Sequence, residues 1–302
     1  MKTVVSVSLG TSKRDKKEEV ELLGEKYLLE RRGTDGDMKK FGELFAELDG
    51  KVDALGVGGA DIYLVLEDKK YAFREILNLI KNVTKTPIVD GGGLKHTLER
   101  QTIEALNDSK EIDFKNSNVL LVSAVDRFGM AQALDKTGAK VVYGDLLFGI
   151  GVPIALKSYA SVKSFGSIIL PIITKLPFKW FYPTGEKQEK RTPKFPKYFL
   201  DADIICGDWH YIHKFMPDQM PGKIIITQTL RKADIEFLTG AGVKTAYTTT
   251  PMINGETFAT NVMEGMIVAH LGKRPEDITP QEYLDVLSAL GWKPNRIDLN
   301  PA

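Results

Sequence analysis

Residues 118–145 carry the pattern that most restricts what this chain can fold into. The segment NVLLVS at residues 118–123 is apolar almost throughout, which is typical of a parallel strand covered on both faces. A helical segment follows over about 128–137, and a second strand over 140–143 ends shortly before Asp145. Strand, helix and strand in this order predict a β-α-β unit and hence a Rossmann-like parallel sheet.

The residues before this unit predict a separate α/β domain. Strand patterns alternate there with helical ones, and a hairpin is predicted around Gly24-Glu25. The order of elements is typical of a three-layer α/β sandwich and also of a ribonuclease-H-like arrangement, and the pattern alone leaves both open. Because 302 residues suffice for two domains, we place an N-terminal α/β domain at residues 1–112 and a Rossmann-like domain at residues 113–302.

Residues 146–200 are predicted to leave the sheet of the second domain. This stretch carries a predicted helix over 155–164, an apolar piece over 168–176 and a basic run after the aromatic triplet 180–182. The triplet indicates a lid or a subunit contact, so we expect a homo-oligomer. Regular alternation resumes with strands at 203–206, 223–227 and 244–248 and with helices at 231–239, 257–271 and 280–289.

Composition argues against several classes of protein. The 41 Lys and Arg residues almost balance the 40 Asp and Glu residues, which disfavours an extended nucleic-acid interface. The most apolar stretch is about ten residues long, whereas a membrane span needs about 20. The single cysteine, Cys206, cannot form an intrachain disulfide, and the N-terminal apolar run is too short for a secretory signal. We therefore expect a cytoplasmic protein without a nucleic-acid partner or a membrane span.

The turn after the first strand of the β-α-β unit is the first candidate site. A dinucleotide-binding unit needs a Gly-rich turn there, a helix N-terminus and an acid about 20 residues later. Gly129 stands at the third glycine position, and Asp145 stands where the acid would hold a ribose hydroxyl and favour NAD over NADP. The first and second glycine positions hold Ala124 and Asp126, and Arg127 can offset the Asp126 charge and bind a phosphate.

The end of the last clear strand, at Thr248–Thr250, places further hydroxyl groups at the same edge of the sheet. They can position a polar substrate or a nicotinamide ribose, and a capped strand end is the alternative. A Rossmann-like fold without any dinucleotide also remains open. The predicted cofactor contacts are Ser123, Asp126, Arg127, Phe128, Gly129, Asp145, Thr249 and Thr250.

A second candidate site is the loop after the first strand, at residues 10–15. Backbone amides, two hydroxyls and two cations can cradle an anion there, with a solvated turn as the alternative. The loop also allows an ATP-dependent phosphotransferase, although serines occupy the strand where such an enzyme would place a metal-binding Asp. The predicted substrate contacts are Ser8, Thr11, Ser12 and Lys13.

Two side chains, Lys95 and His210, are candidates for acid–base catalysis on the pattern of the sequence itself. Lys95 begins the helix that follows the segment DGGG, so it lies near the edge where ligands of parallel sheets bind. His210 lies with His213 in DWHYIHKF, and a histidine titrates near neutral pH. The two histidines are predicted to lie in a loop, and because no second ligand cluster has fitting spacing, we expect no metal site.

Three segments resemble bacterial proteins known as quinate 5-dehydrogenases: VVSVSLGTSKRD, ELLGEKYLLERRGTDGD and DGKVDALGVGG. The similarity covers most of the chain, and it implies an N-terminal substrate domain followed by a Rossmann domain. In quinate and shikimate dehydrogenases a Ser-x-Ser binds the substrate carboxylate, which implies that role for Ser6 and Ser8. A Lys–Asp pair is catalytic in that family, which implies Lys85 and Asp90, although Ile88 stands at the family's Lys position.

These observations support one leading function and two alternatives. The leading hypothesis is an NAD(P)-dependent oxidoreductase that acts on a small, polar, anionic hydroxy or keto compound in a cleft between the two halves. A non-redox metabolite-binding or regulatory protein with the same fold is the first alternative, favoured by Asp126 in a glycine position. An ATP-dependent phosphotransferase is the second alternative.

Overall fold

The computed structural model describes residues 1–180, 190–250, 252–253 and 256–301. The chain forms two compact units that are interleaved along the sequence. They therefore do not coincide with the predicted contiguous domains 1–112 and 113–302. The first unit consists of Met1–Leu94, Ile169–Gln188 and Ala259–Trp292, and the second of Lys95–Ile168, Glu189–Phe258 and Lys293–Ala302.

The first unit is built on a five-stranded sheet in the order β2-β3-β1-β4-β7, accompanied by a separate β5-β6 hairpin. The central strands β1 and β4 carry valine, leucine, alanine and small polar residues, and they are buried except for the first two residues of β1. The strands are β1 (Lys2–Ser8), β2 (Lys16–Leu22), β3 (Glu25–Gly33), β4 (Ala54–Gly58), β5 (Tyr63–Leu66), β6 (Lys69–Ala72) and β7 (Ile88–Val89).

The predicted hairpin is confirmed, but its place in the sheet differs from the ribonuclease-H-like order. Leu23 and Gly24 turn the chain with φ of 54° and 74°, as a two-residue hairpin turn requires. The second strand of the hairpin, β3, lies parallel to β1, and β2 pairs antiparallel with β3 at the edge. The ribonuclease-H-like order is therefore not formed, because β3 rather than β2 is the neighbour of β1.

A helix from late in the sequence covers the first unit's sheet. This helix, α9, is buried from Thr260 to Ala269 and packs on β1 and β4. Glycines permit the close packing: a Cβ at Gly265 would lie 2.7 Å from Val4 Cγ1, and one at Gly56 would lie 2.8 Å from Asn261 Nδ2. The helices of this unit are α1 (Met38–Leu48), α2 (Arg74–Ile80), the first turn of α3 (Gly92–Asp108), α9 (Thr260–Leu271) and α10 (Pro280–Ala289).

The second unit contains the predicted Rossmann-like sheet, with strand order β15-β12-β11-β10-β8-β9. The five strands β8 to β12 are parallel to one another. Strand β15, which the sequence analysis missed, is antiparallel at the edge of the sheet. Counted within the unit, the parallel strands follow the doubly wound order 2-1-3-4-5. The strands are β8 (Asn118–Leu121), β9 (Lys140–Tyr143), β10 (Ile204–Cys206), β11 (Ile224–Thr227), β12 (Thr245–Thr248) and β15 (Asn295–Asp298), with a small pair β13 (Met252–Ile253) and β14 (Glu256–Thr257) outside the sheet.

Helices cover this second sheet, and two of them correct the sequence prediction. The helix expected at 155–164 is instead α5, which runs past Pro171 and takes up most of the apolar piece at 168–176. The segment with His210 and His213 is a helix, α7, rather than a loop, because Asp208 caps its first turn. The helices of this unit are α3 from Lys95 onwards, α4 (Phe128–Thr137), α5 (Tyr159–Ile173) as far as Ile168, α6 (Pro196–Asp201), α7 (Trp209–Phe215) and α8 (Lys232–Gly240).

The core of the second unit explains why the two ends of the excursion, residues 146–168 and 189–200, belong with its sheet. Phe148 and Phe199 lie 5.4 Å apart between ring centroids, and both join the main apolar cluster beneath β8, β10 and β11. Apolar residues of the excursion thus help to bury the sheet. Trp180 is exposed, and the other two aromatic residues of the triplet, at 181–182, lie outside the described residues. Within the described part of the chain, no helix is both long enough and apolar enough to cross a bilayer.

We predict that Gly129→Ala destabilises the protein and Gly240→Ala does not. A Cβ at Gly129 would lie 3.0 Å from the His96 carbonyl oxygen and 3.2 Å from its Cα, so two helix backbones would have to separate. Such overpacking costs about 1–3 kcal/mol. At Gly240, in the last turn of α8, no heavy atom lies within 4 Å, and Ala there is neutral or stabilising by about 0.5–1 kcal/mol. Urea denaturation of the two variants measures the difference, and equal stabilities would contradict this packing.

Candidate functional site

The most probable position for a ligand in an open parallel sheet is the point where the strand order reverses. In the second unit this switch point lies between β8 and β10. The turn 123–127 follows β8, and Gly207-Asp208 follows β10. Gly207 has φ of 130°, and a Cβ there would lie 2.6 Å from Val122 Cγ2, so only glycine fits this turn without strain.

Arg127 is the centre of a charged cluster at this point. Its side chain is only 2% exposed. One terminal nitrogen donates to Asp208 Oδ2 at 2.7 Å, and the other donates to Glu99 Oε1. A buried guanidinium requires such compensation, because an unpaired charge out of water is very costly. The predicted phosphate ligand Arg127 is therefore already paired with two carboxylates of its own unit.

Asp208 joins three elements of the unit. Its Oδ1 accepts hydrogen bonds from the backbone amides of His210 and Tyr211 and so caps α7. Its Oδ2 accepts from Arg127 and from Gln228 Nε2, the latter at 2.8 Å. Burial works to raise the pKa of Asp208, but the positive charges of Arg127, His210 and Lys95 together outweigh it and hold the pKa below its ordinary value. Asp208 is therefore a fixed carboxylate.

Glu99 and Lys95 lie one turn apart on α3 and face the same cluster. Glu99 is 1% exposed, and burial raises its pKa to about 7 despite the nearby charges of Arg127 and Lys95. Its Oε2 is buried and has no hydrogen-bond partner among the described residues. Lys95 Nζ donates to Asp126 Oδ1 at 3.2 Å. The cluster thus contains a carboxyl group that can exchange a proton near neutral pH.

The predicted threonines connect to this cluster through Gln228. Thr250 donates from Oγ1 to the Gln228 carbonyl at 2.7 Å, and Gln228 in turn donates to Asp208. Thr249 is buried and donates its amide to the Thr227 carbonyl at 2.9 Å. Both threonine side chains are therefore buried, and both residues are hydrogen-bonded to backbone carbonyls at the end of β11.

Asp145 lies differently from the ribose-binding position predicted for it. Its side chain is 4% exposed, and its Oδ1 accepts hydrogen bonds from the amides of Ala124 and Val125, both at 2.9 Å. Burial raises its pKa to about 6, against the effect of these two amides. The amides that would face a pyrophosphate are thus bound to a carboxylate. Together with the pairing of Arg127, this geometry does not fit a dinucleotide held at the loop in the usual way.

The other predicted cofactor contacts of the turn, Phe128, Gly129 and Ser123, are packed against or buried by the protein itself. Phe128 packs against Tyr159 with ring centroids 5.1 Å apart, and Gly129 packs on the backbone of α3. Ser123, at the start of the same turn, is also buried. The predicted catalytic residue His210 has an exposed side chain in the first turn of α7, next to Asp208, whose pKa its charge helps to lower.

The loop after β1 in the first unit is also bound by an internal carboxylate. Ser12 donates its amide and its hydroxyl to Asp35 at 2.7 and 2.8 Å, and Asp35 has a lowered pKa because of these bonds. Thr11 is buried, and its Oγ1 accepts from the Lys13 amide. Ser8 Oγ is hydrogen-bonded to Arg31 at 3.0 Å. The structure therefore places the predicted substrate contacts together at the end of β1 and in the loop after it: Ser8, Thr11, Ser12 and Lys13. Both hydrogen-bond donors of Ser12 are already bonded to Asp35.

The glycine-rich turn after β7 shows the same arrangement. The carboxylate of Asp90 accepts from the amides of Ile62, Tyr63 and Gly92 at 2.7, 3.1 and 2.8 Å. The catalytic role predicted for Asp90 remains a prediction, and the geometry gives this side chain a role in fixing the turn. Ser6, implied by the family resemblance to bind a carboxylate, accepts from Asn261 Nδ2 at 2.6 Å.

Glu264 is a second buried acid with an unusual environment. It is 3% exposed, and its Oε1 accepts from the Gly93 amide at 2.9 Å and from the Tyr283 hydroxyl at 3.0 Å. Its Oε2 is buried without a hydrogen-bond partner among the described residues. Burial, followed by the negative charge of Asp90, raises its pKa to about 7. No group of three or more His, Cys, Asp or Glu in the described ranges has the geometry of a metal site.

Sequence reasoning missed Glu99, Asp208 and Gln228. Glu99 left a signal, because it stands among the apolar positions Leu98 and Ile103 on the buried face of α3. Asp208 also left one, since an Asp directly before an apolar helical segment is a typical N-cap. Gln228 has no such signature in the sequence. The structure does bring Lys95, Asp126, Arg127 and Asp208, which stands two residues before His210, into one cluster.

Family models match nearly the whole chain in two segments. A model described as a domain of unknown function (DUF8754) matches residues 93–299, which is more than half of the chain. A second model, also described as a domain of unknown function (DUF8753), matches residues 3–90. No curated protein matches the chain.

Solved structures with a similar course of the chain include dehydrogenases and sugar-binding proteins. Glutamate dehydrogenase from Thermus thermophilus is 13% identical, with 96% of this chain and 73% of that chain covered and a TM-score of 0.44. NAD-dependent malic enzyme from Thermotoga maritima is 14% identical, with coverage of 96% and 84% and a TM-score of 0.35. A galactofuranose binding protein is 13% identical, with coverage of 96% and 99% and a TM-score of 0.38. At this level of similarity these proteins carry no argument about function.

We predict that Glu264→Gln stabilises the protein above neutral pH and has little effect in acid. The folded-state pKa of Glu264 lies above the ordinary value of 4.5, so its contribution is fully present below about pH 4.5 and is lost as the pH rises through about 7. Gln keeps the acceptor for Gly93 and Tyr283 without a charge to bury. The gain at pH 8 is about 3–4 kcal/mol, from about 1.4 kcal/mol for each pKa unit between 4.5 and about 7.

Urea denaturation at pH 4.5 and pH 8 measures this effect. The comparison at pH 4.5 serves as the control, because both side chains are neutral there. Equal stabilities of the variant and the parent protein at both pH values would show that Glu264 carries no penalty for ionising.

Proposed function

The chain belongs to the DUF8754 family, and we propose that it binds a small, polar, anionic hydroxy or keto compound at the switch point of the second unit's sheet. In this proposal the protein is a non-redox metabolite-binding or regulatory protein with a Rossmann-like fold. Lys95 supplies the positive charge for the anionic group of the compound. Glu99 bonds one of its hydroxyl or keto oxygens, as acceptor when ionised and as donor when protonated.

One observation carries the proposal: Glu99 Oε2 is buried at the switch point without a partner among the described residues. A purely structural ion cluster saturates its buried oxygens, because each unmet one costs about 1–3 kcal/mol. Here both terminal nitrogens of Arg127 and both carboxylate oxygens of Asp208 have partners, while Glu99 Oε2 has none among the described residues. A ligand hydroxyl in hydrogen-bond reach of that oxygen removes the penalty and gains affinity from it.

A dehydrogenase is the second candidate, and the open parallel sheet with its switch point between β8 and β10 is the observation that favours it. The resemblance to quinate 5-dehydrogenases suggests the same activity, with a quinate-like hydroxy acid as substrate and NAD or NADP as the oxidant. This candidate requires Asp145 to release the amides of Ala124 and Val125, since a pyrophosphate cannot accept from them while the carboxylate does. The non-redox proposal requires no such change.

We predict that quinate, shikimate or malate raises the melting temperature of the protein, and that Lys95→Met abolishes the effect. Met keeps the length of the side chain but removes the charge that holds the anionic group. The dissociation constant measured by calorimetry should rise at least about tenfold. Lys140→Met, at an exposed position at the start of β9, is the matched control and should bind as the parent protein does.

The outcomes separate the proposal from its alternatives. If no probe in a panel of small hydroxy and keto acids binds, or if Lys95→Met binds as tightly as the parent, the proposed site is wrong. Fluorescence titration of the parent protein with NADH and with NADPH tests the dehydrogenase candidate. A saturable change with either would establish a dinucleotide site, and we expect none.

A further inference from the structure

The turn after β8 forms a small concave group of backbone amides. The Arg127 amide donates to the Ala124 carbonyl at 3.0 Å and so closes the turn. The amides of Ala124 and Val125 both point to a single oxygen atom, Asp145 Oδ1, at 2.9 Å. Successive amides directed at one point make an anion-binding site. In this chain the anion is a carboxylate supplied by the protein itself.

The position of Asp145 in the fold makes this bond unusual. It follows β9, which is the second strand of the β-α-β unit, where an acid of a dinucleotide-binding protein reaches outward to a ribose. Asp145 reaches inward instead and is 4% exposed. Its carboxylate therefore lies where the turn would otherwise hold a phosphate.

We propose that Asp145 is a built-in substitute for a phosphate group, and that it makes this Rossmann-like unit reject nucleotide phosphates. The residue thus determines specificity by occupying the turn rather than by contacting a ligand. This inference is independent of the proposed site at Lys95 and Glu99, whose ligand would not use the amides of the turn.

Three features hold the carboxylate in place. Gly144, directly before it, donates its amide to the Leu121 carbonyl at 2.8 Å, and a Cβ there would lie 2.8 Å from the Val122 carbonyl oxygen. The Phe148 amide donates to the Gly144 carbonyl at 2.8 Å, which closes a tight helical turn over residues 145–149. Phe148 itself is anchored in the core of the unit. Release of Asp145 would therefore disturb the packing of the whole turn.

The surrounding charges also disfavour a phosphate. Asp126, in the same turn, adds a second carboxylate whose partners are Lys95 and Arg127. Arg127 is held by Glu99 and Asp208. A phosphate bound at the amides of the turn would lie beside the two carboxylates, Asp126 and Asp145, and their repulsion acts at short range in a site with little water.

The decisive experiment compares Asp145→Ala with Asp145→Asn, using inorganic phosphate and NADH as probes. Ala removes the internal anion and leaves the two amides without an acceptor. We expect phosphate affinity to rise at least about tenfold over the parent protein. In ¹⁵N-resolved NMR spectra, the amide signals of Ala124 and Val125 should shift on phosphate addition. Asn keeps a carbonyl oxygen for both amides, so this matched variant should remain closed to phosphate.

A folded Asp145→Ala protein that binds phosphate no better than the parent would overturn the inference, as would a parent protein whose Ala124 and Val125 amides shift with NADH. If the Ala variant does not fold, a pH titration of the parent decides. The two amide signals should then move together, with a midpoint near the Asp145 pKa of about 6. Independent midpoints would show that the carboxylate does not hold them. Failure of the small-acid screen alone would leave these results unchanged.

Discussion

The buried charge of Arg127 is the constraint on which the arrangement of the candidate site in the second unit depends. A guanidinium that is 2% exposed must be neutralised locally, and the two carboxylates that do so come from α3 and from the start of α7. Asp208 also accepts a hydrogen bond from Gln228, which directly follows β11, so the position of this strand end is linked to the same charge. One charge thus fixes the relative positions of helices that approach the sheet from different parts of the sequence. The position of Lys95 and Glu99 follows from that arrangement.

Internal carboxylates accept hydrogen bonds from backbone amides in three of the turns that the sequence marked as candidate site positions. Asp145 accepts from the turn after β8, Asp35 from the loop after β1, and Asp90 from the turn after β7. In each case backbone amides that would bind a phosphate are bound to an aspartate. The shared physical reason is that converging amides at a strand end need an acceptor, and a nearby Asp provides one without a ligand. A local sequence motif cannot distinguish an internal acceptor of this kind from a bound phosphate.

Much of the fold could be predicted from local patterns. The apolar run at 118–123, the helix after it and the spacing to Asp145 were enough to identify the β-α-β unit, because strand burial and helix periodicity are local properties. The neighbour of β1 in the sheet could not be predicted, since pairing depends on distant residues. The direction of the Asp145 side chain was equally hidden, because both an outward and an inward carboxylate fit the same spacing. Glu99 was missed although an acid on an apolar helix face was visible in the sequence.

The late position of α9 in the sequence has a consequence for biosynthesis. The helix that buries the inner faces of β1 and β4 emerges from the ribosome only after all of β8 to β12 has been made. Until then, the N-terminal sheet exposes apolar side chains such as Val4 to the solvent or to chaperones. Maturation of this protein therefore cannot proceed in simple order from the first residue to the last. The strands β1 and β4 are covered only once α9 has been made.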